Sequence, residues 1–332
     1  MPRLHGGALA LAALIACAGC AEGLGFGDIR LEDTLHFDES ASGIDSIDIE
    51  AFNGAIRVTG DDSDTIDIVA TRVVRTSDES RGEEYARRVT VDITIDGDTL
   101  NVRTAAPSDE PGYIESVSVE YAVSVPRRLA AFAASRNGAI DVTGLDGAVD
   151  AETKNGAVTL VDIRGEAKAR TSNGKITLDD VTSVVEAKTS NGAVSVRCET
   201  VSSAARIESD NGGVELVVDG TLRAPVTMST TNGKVTARVR ILRDEIELST
   251  SNGAIDITVL DTLAGGIDAR TSIGAIDLHV PRKAGFRLDA TSGSASISTP
   301  WGSGDRGFVS EINGGGPEVT LRTSSGSVRI TE

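Results

Sequence analysis

From residue 135 onward, apolar and polar positions alternate in a fixed frame around one recurring unit: Ser or Thr, any residue, Asn, Gly, any residue, Val or Ile, a polar residue, then Val, Leu or Ile. The Asn-Gly pair stands at Asn137, Asn155, Asn173, Asn191, Asn211, Asn232 and Asn252, with degenerate copies at Ile273, Ser292 and Ser325 and an early copy at Asn53. Successive spacings from 137 to 292 are 18, 18, 18, 20, 21, 20, 21 and 19 residues. A period this regular predicts stacked repeats, not scattered turns. Two residues past each Gly lie Ile140, Val158, Ile176, Val194, Val214, Val235, Ile255 and Ile276, and four past it Val142, Leu160, Leu178, Val196, Leu216, Ala237, Ile257 and Leu278. Between the two stands a polar residue, which is the period of a strand with one face inward. A second inward column, Ala133, Ala151, Ala169, Ala187, Ile207, Met228, Leu248 and Ala269, leads into each turn. Each repeat therefore reads as strand, Asn-Gly corner, strand and return.

Antiparallel hairpins also favour Asn-Gly, yet they do not require one residue class at one column in every copy. Parallel stacking does, because like residues then meet between strands about 4.8 Å apart. The outward columns agree with stacking. Five residues before Asn stand Asp150, Lys168, Glu186 and Arg206; three before it stand Glu152, Arg170, Lys188 and Glu208. Opposite charges on neighbouring strands attract, and only the step from Arg170 to Lys188 opposes like charges. The expected fold is all-β, a single-stranded parallel β-helix or solenoid of roughly 18–21-residue rungs with Asn-Gly corners. The Asn residues read as structural, serving a left-handed backbone or an amide ladder between rungs.

Residues 41–130 form a less regular N-terminal β region expected to cap the stack. Strand alternations lie at Ile47–Glu50, Ile66–Ile68, Val89–Ile95 and Val117–Val123, Asp96-Gly97-Asp98 is a hairpin-type turn, and one short helix is expected over Ser80–Arg88. Residues 131–332 carry the repeats, interrupted by a Gly-rich insertion over 299–317 that holds the lone Trp301 and precedes a last rung over Val319–Ile330.

The first sixteen residues read as a leader, with Arg3 in a basic start and an apolar run over Gly6–Ala16 too short to remain as a spanning helix. Leu14-Ile15-Ala16-Cys17 resembles the bacterial lipobox, so Cys17 is the expected lipidated residue and Cys20 the alternative; 17–40 would be anchor and linker. Ala18 after Cys17 leans toward the outer membrane, on its periplasmic or surface face. Only Cys198 lies in the body, so no disulfide framework exists. Without the first twenty residues, 31 Lys and Arg stand against 50 Asp and Glu, a charge of −19. That balance argues against nucleic acid and anionic headgroups as partners. Aromatic residues make up 3%, leaving few rings for sugar stacking.

The ordered set of Phe52-Asn53-Gly54-Ala55-Ile56, Tyr121-Ala122-Val123-Ser124-Val125-Pro126, the serial Thr-Ser-Asn-Gly units, Asn313-Gly314-Gly315-Gly316-Pro317 and Arg322-Thr323-Ser324-Ser325-Gly326-Ser327-Val328 resembles a bacterial family of candidate adhesins with β-strand repeats, a domain of unknown function. The resemblance covers about residues 40–332. It implies a solenoid envelope lipoprotein and brings no catalytic residue with it.

The chemistry-bearing residues are sparse. His36 and His279 are far apart, and no metal-spaced Cys/His set, nucleophile elbow or phosphate loop is present. Asp61-Asp62-Ser63-Asp64 lacks the Gly and Glu of an EF-hand loop and reads as a solvated turn. Asp256 and Asp277 share an outward column on neighbouring rungs at the spacing of a retaining glycosidase pair, and could also hold a divalent cation weakly; the column itself reads as an ordinary water-facing sheet. The expectation is therefore no catalytic, cofactor or metal site. The chain is read as an interaction scaffold whose partners are the membrane through its lipid and an unidentified envelope protein or glycan, with self-association through an uncapped end. The alternatives are an envelope regulatory or assembly component, and a polysaccharide lyase or hydrolase.

Overall fold

The computed structural model describes residues 15–17, 29–107 and 111–332. Strands make up most of these residues, and the only helix among them is one short one. The chain divides into two compact units, residues 1–155 and 156–332.

In the N-terminal unit, strands Ile29–Ser40, Thr65–Thr76 and Ile114–Pro126 form an antiparallel sheet. Asp33, buried in this sheet, receives a hydrogen bond from Arg72 Nε at 2.8 Å, and a second guanidinium nitrogen completes a two-pronged contact. The helix Glu79–Arg88 is started by Asp78, whose carboxylate accepts the Arg81 N–H at 3.1 Å, and it buries Gly82, Tyr85 and Ala86. A side-chain acceptor at this position satisfies one of the unpaired N–H groups of a first helical turn. Strands Thr90–Asp96 and Thr99–Ala105 form the hairpin across Gly97, whose φ of +64° suits glycine.

Parallel pairing begins in this unit. Ser46–Asn53 lies between Thr99–Ala105 and Ala130–Asn137, and Ile56–Asp61 lies between Ile114–Pro126 and Ile140–Leu145. The early Asn53-Gly54 copy thus pairs in register with Asn137-Gly138, 84 residues on. Val149–Asn155 adds the next parallel strand, joining Asn155 to Asn137.

In the C-terminal unit each strand from Val158 to Leu263 pairs in parallel with its equivalent one repeat later. One row runs Ala167–Asn173, Glu186–Asn191, Ala205–Asn211, Val226–Asn232, Ile246–Asn252 and Ile267–Ile273. The other runs from Val158, Ile176, Val194, Val214 and Val235 to Ile255 and Ile276. The inward columns named from the sequence are buried throughout, including Met228, Leu248, Leu216 and Ile257. Removing that apolar area from water is the main force holding each repeat on the next.

The C-terminal repeats depart from sequence order. Glu318–Ser325 and Val328–Thr331 pair directly with Ile267–Ile273 and Ile276–His279. Phe286–Ser292 and Ile297–Thr299 then lie on the far side of that last repeat. In this outermost repeat Ser292 aligns with Thr323, two positions before the corner, so the Ser292-Gly293 copy is displaced from the corner column. The 299–317 segment supplies Gly307–Ile312, which runs antiparallel to Phe286–Thr291 and ends the parallel row. Trp301 packs edge-on against buried Phe286, with ring centroids 5.6 Å apart. Asn313 turns the chain back with φ +47°, its side-chain amide donating to the Ala284 carbonyl at 2.9 Å, and Gly314 to Gly316 continue the reversal at positive φ.

Candidate functional site

The corners are built from three hydrogen-bond rows. In the N-terminal unit the Asn155 amide donates to the Asn137 side-chain oxygen at 2.7 Å, Asn137 to Asn53 at 2.6 Å, and Asn53 to the Val117 carbonyl at 3.3 Å. In the C-terminal unit Asn191 donates to Asn173 at 2.8 Å, Asn211 to Asn191 at 3.1 Å, Asn232 to Asn211 at 2.9 Å, and Asn252 to Asn232 at 3.0 Å. The next position is Ile273, which has no amide and is 60% exposed. None of these Asn residues has positive φ; among the described residues only Asp162, Asp180 and Asn313 do so outside glycine. Of the two roles open to the corner Asn, the geometry is that of an amide row.

The second row explains the Ser or Thr two residues earlier, a role the sequence did not disclose. Thr153 donates to the Gly138 carbonyl, and in the C-terminal unit Thr171, Thr189, Ser209, Thr230, Thr250 and Thr271 donate to the corner Gly carbonyl of the preceding repeat at 2.8–3.0 Å. These hydroxyls are buried, and each satisfies a carbonyl that the strand ladder leaves free. In the third row the Gly N–H donates to the Asn carbonyl of the next repeat, as from Gly212 to Asn232 at 3.0 Å. Glycine is required by this close approach: a Cβ on Gly212 would stand 1.9 Å from the Gly192 oxygen.

The outward charges pair diagonally at Arg170, directly across the ladder at Lys188 and along one strand at Arg206. Arg170 Nη2 meets Glu186 at 2.5 Å, Lys188 meets Glu208 at 3.2 Å and Arg206 meets Glu208 at 2.5 Å. Arg170 and Lys188 do lie opposite one another, yet each finds a carboxylate on the following repeat. Burial works against ionised Glu208, but hydrogen bonds from Arg206 and Lys188 hold its carboxyl below the usual range.

Asp256 and Asp277 do lie side by side in register. Lys234 makes an ion pair with Asp256, and Arg329 stands next to Asp277 on the other side. The carboxylates belong to a mixed-charge column in place of an isolated acidic pair. Among the described residues no three His, Cys, Asp or Glu side chains come together as metal ligands. His279 Nδ1 lies 3.1 Å from the Thr331 hydroxyl on the outer surface. Asp61 accepts both the backbone N–H and the hydroxyl of Ser63, forming a closed local turn. Cys198 is buried, and burial pushes its thiol up to about 12, aided by Asp219 and Glu199.

The concave surface that the sequence did not reveal lies on the outer face of the C-terminal unit. Arg270 and Arg322 are 52 residues apart but occupy adjacent in-register positions, because the last repeat stacks on Ile267–Ile273. A shallow trough of about 490 Å³ joins these guanidiniums to hydroxyls of Ser249, Ser251, Ser272 and Ser324. A second trough of about 580 Å³ shares the same two arginines and runs toward Asp244, Asp268 and Glu318. Arg270 pairs with Glu247 at 3.4 Å and with Asp268, while Arg322 pairs with Asp289 at 3.3 Å. Burial pushes the Asp268 carboxyl above its ordinary value; Arg270 opposes that shift and Glu247 adds to it. The surface offers guanidinium and hydroxyl donors and carboxylate acceptors over several strands.

The lipobox reading falls mostly outside the described residues. Residues 1–14 and Cys20 lie outside them, and only the backbone of Ile15–Cys17 is described, as a short strand antiparallel to Arg30–Glu32. No helix among the described residues is long and apolar enough to cross a membrane.

No family model and no curated protein matches the chain. Solved structures similar to it include a candidate adhesin from Parabacteroides distasonis, with 12% identity over 90% of this chain and 96% of that one and a TM-score of 0.44. A candidate adhesin from Bacteroides fragilis matches with 12% identity over the same shares and a TM-score of 0.34. A candidate cell adhesion protein from Clostridium sporogenes matches with 9% identity, 90% of this chain and 99% of that one, and a TM-score of 0.22. Similarity at this level transfers neither an activity nor a partner.

Proposed function

We propose that the chain is a lipid-anchored protein of the bacterial cell envelope, whose repeats form a single-stranded parallel β-solenoid and whose outer face is a non-catalytic, adhesin-like scaffold for an envelope protein or glycan. The observation that carries this reading is the polar face around Arg270 and Arg322, where two adjacent guanidiniums lie among strand-borne hydroxyls in shallow, open troughs. Guanidinium forks and hydroxyls suit carboxylate, amide and sugar oxygens. A rigid array of parallel strands spaces them without a loop that must close, which suits extended contact better than turnover. Mixed-charge neighbours favour a partner that replaces the existing ion pairs with donors and acceptors of its own.

The test is capture from envelope extracts by the full chain, compared with Arg270→Ala/Arg322→Ala and with Asp256→Ala/Asp277→Ala. The proposal expects the arginine pair to lose the captured species and the aspartate pair to keep it. Equal capture by all three proteins removes this face from the account, and polysaccharide cleavage lost only with the aspartates replaces the scaffold by an enzyme. Anchoring is tested separately by incorporation of labelled fatty acid, expected to vanish with Cys17→Ala and to persist with Cys20→Ala. Membrane fractionation then reads the expected outer-membrane location.

A further inference from the structure

Strand Thr90–Asp96 is the terminal strand of its row. It pairs antiparallel with Thr99–Ala105, which pairs parallel with Ser46–Glu50, which pairs with Ala130–Ala134. On its other edge, among the described residues, Thr90–Asp96 pairs with no strand. Its side chains alternate strictly: Val91, Ile93 and Ile95 on one face, Thr90, Asp92, Thr94 and Asp96 on the other. The apolar face continues the interior, since Ile93 lies opposite Val102 and Ile95 opposite Leu100, both fully buried. Yet Ile95 is 55% exposed, and Val91 and Ile93 are only half-buried. Here the inner layer reaches water beside a row of backbone groups without strand partners, the usual condition for pairing with another chain.

We infer that this edge pairs with the same edge of a second copy, antiparallel and centred on Ile93. The choice of occupant follows from the seven residues. Antiparallel pairing keeps the apolar faces together only when residues of like parity oppose each other. Centring on Asp92 sets that carboxylate against itself, and centring on Thr94 sets Asp92 against Asp96. Parallel in-register pairing opposes Asp92 to Asp92 and Asp96 to Asp96. Centring on Ile93 opposes Val91 to Ile95, Ile93 to Ile93, Asp92 to Thr94 and Thr90 to Asp96. No like charges then meet, and each carboxylate faces a hydroxyl that can donate to it. The acidic residues that guard the edge against most registers leave this one open. The contact also covers Ile95 with Val91 of the second copy.

The test is disulfide trapping in the full-length chain with Cys17 and Cys20 replaced by Ser, the same chain without an added cysteine setting the background; Cys198 is buried and takes no part. Ile93→Cys is expected to form a covalent dimer on mild oxidation. Val91→Cys and Ile95→Cys are each expected to remain single alone and to cross-link when mixed. Asp92→Cys mixed with Thr94→Cys repeats the test at exposed positions, should a cysteine at 93 disturb folding. Sedimentation is expected to show a dimer for the parent chain and a monomer for Ile95→Asp at the same concentration, with unchanged circular dichroism. A monomeric parent, a dimeric Ile95→Asp, or Val91→Cys trapping itself as readily as Ile93→Cys overturns the inference.

Discussion

Two adjacent glycines at one corner make opposite predictions. A methyl group on Gly212 would stand 1.9 Å from the Gly192 carbonyl oxygen, whereas one on Gly213 would have nothing nearer than the Lys234 oxygen at 3.5 Å. Since real Cβ atoms stay beyond 3.0 Å, Gly212→Ala must open this step by at least the 1.1 Å difference between 3.0 and 1.9 Å. Three of the hydrogen bonds that span the step are made by residues 209 to 211, just before the added methyl: Ser209 to the Gly192 carbonyl at 2.8 Å, Asn211 to Asn191 at 3.1 Å, and the Gly192 N–H to the Asn211 carbonyl at 3.1 Å. An added 1.1 Å carries all three out of range. At about 1 kcal/mol net for each, Gly212→Ala should lose about 3 kcal/mol. Gly213→Ala should stay within about 0.5 kcal/mol of the parent, helped by a less flexible unfolded chain. Urea unfolding followed by circular dichroism reads the difference. Labelling of Cys198 reads opening at this step, because the thiol lies in the strand Val194–Val201, buried and held up at about 12. Equal stability of the two variants, or a loss under about 0.5 kcal/mol for Gly212→Ala, would refute the argument from close approach.

Other consequences are equally direct. Thr250→Val keeps the shape of a buried side chain but leaves the half-buried Gly233 carbonyl without its donor, and should lose about 1–3 kcal/mol in urea unfolding, while Thr250→Ser retains most of the stability. Replacing either Asp33 or Arg72 alone by a neutral apolar residue leaves one buried charge unpaired and should lose about 3–5 kcal/mol in the same assay, whereas replacing both should recover much of that loss. The raised carboxyl of Asp268 binds its proton more tightly folded than unfolded, so its contribution favours folding at low pH and is lost as pH rises from the ordinary aspartate value through the raised one. Asp268→Asn should therefore flatten stability against pH in that window, and a parallel dependence in parent and variant contradicts the assignment.

The repeats were legible because the inward columns obey one period from Ile140 to Leu278 and the corner dipeptide marks each copy. The structure adds why the pattern is so strict. Asn, the preceding hydroxyl and Gly are each fixed by a different contact between neighbouring repeats, and period-two alternation alone cannot reveal that Thr153 or Thr250 faces a carbonyl. The helix over 79–88 was legible through its charge-rich composition, to within one residue of its start. The pairing of Asn53 with Asn137 was not, since the two lie 84 positions apart and only the folded register brings them together. Nor was the order of the final repeats: Ser325 lies beside Ile273, and Ser292 lies two positions off the corner, because the antiparallel Gly307–Ile312 and the Asn313 turn send the chain back between repeats already formed. The Arg270–Arg322 face depends wholly on that reversal, so sequence proximity could not show it.

The account rests on repeats lying parallel, one strand spacing apart. Spin labels placed at Ser172 and Ser251, residues just before the corner Asn and four repeats apart, should give a mean separation of about 19 Å, and Ser172 with Ser272 about 24 Å, at about 4.8 Å per step. A separation that fails to grow by one strand spacing from the first pair to the second would contradict the stacking on which every other conclusion depends.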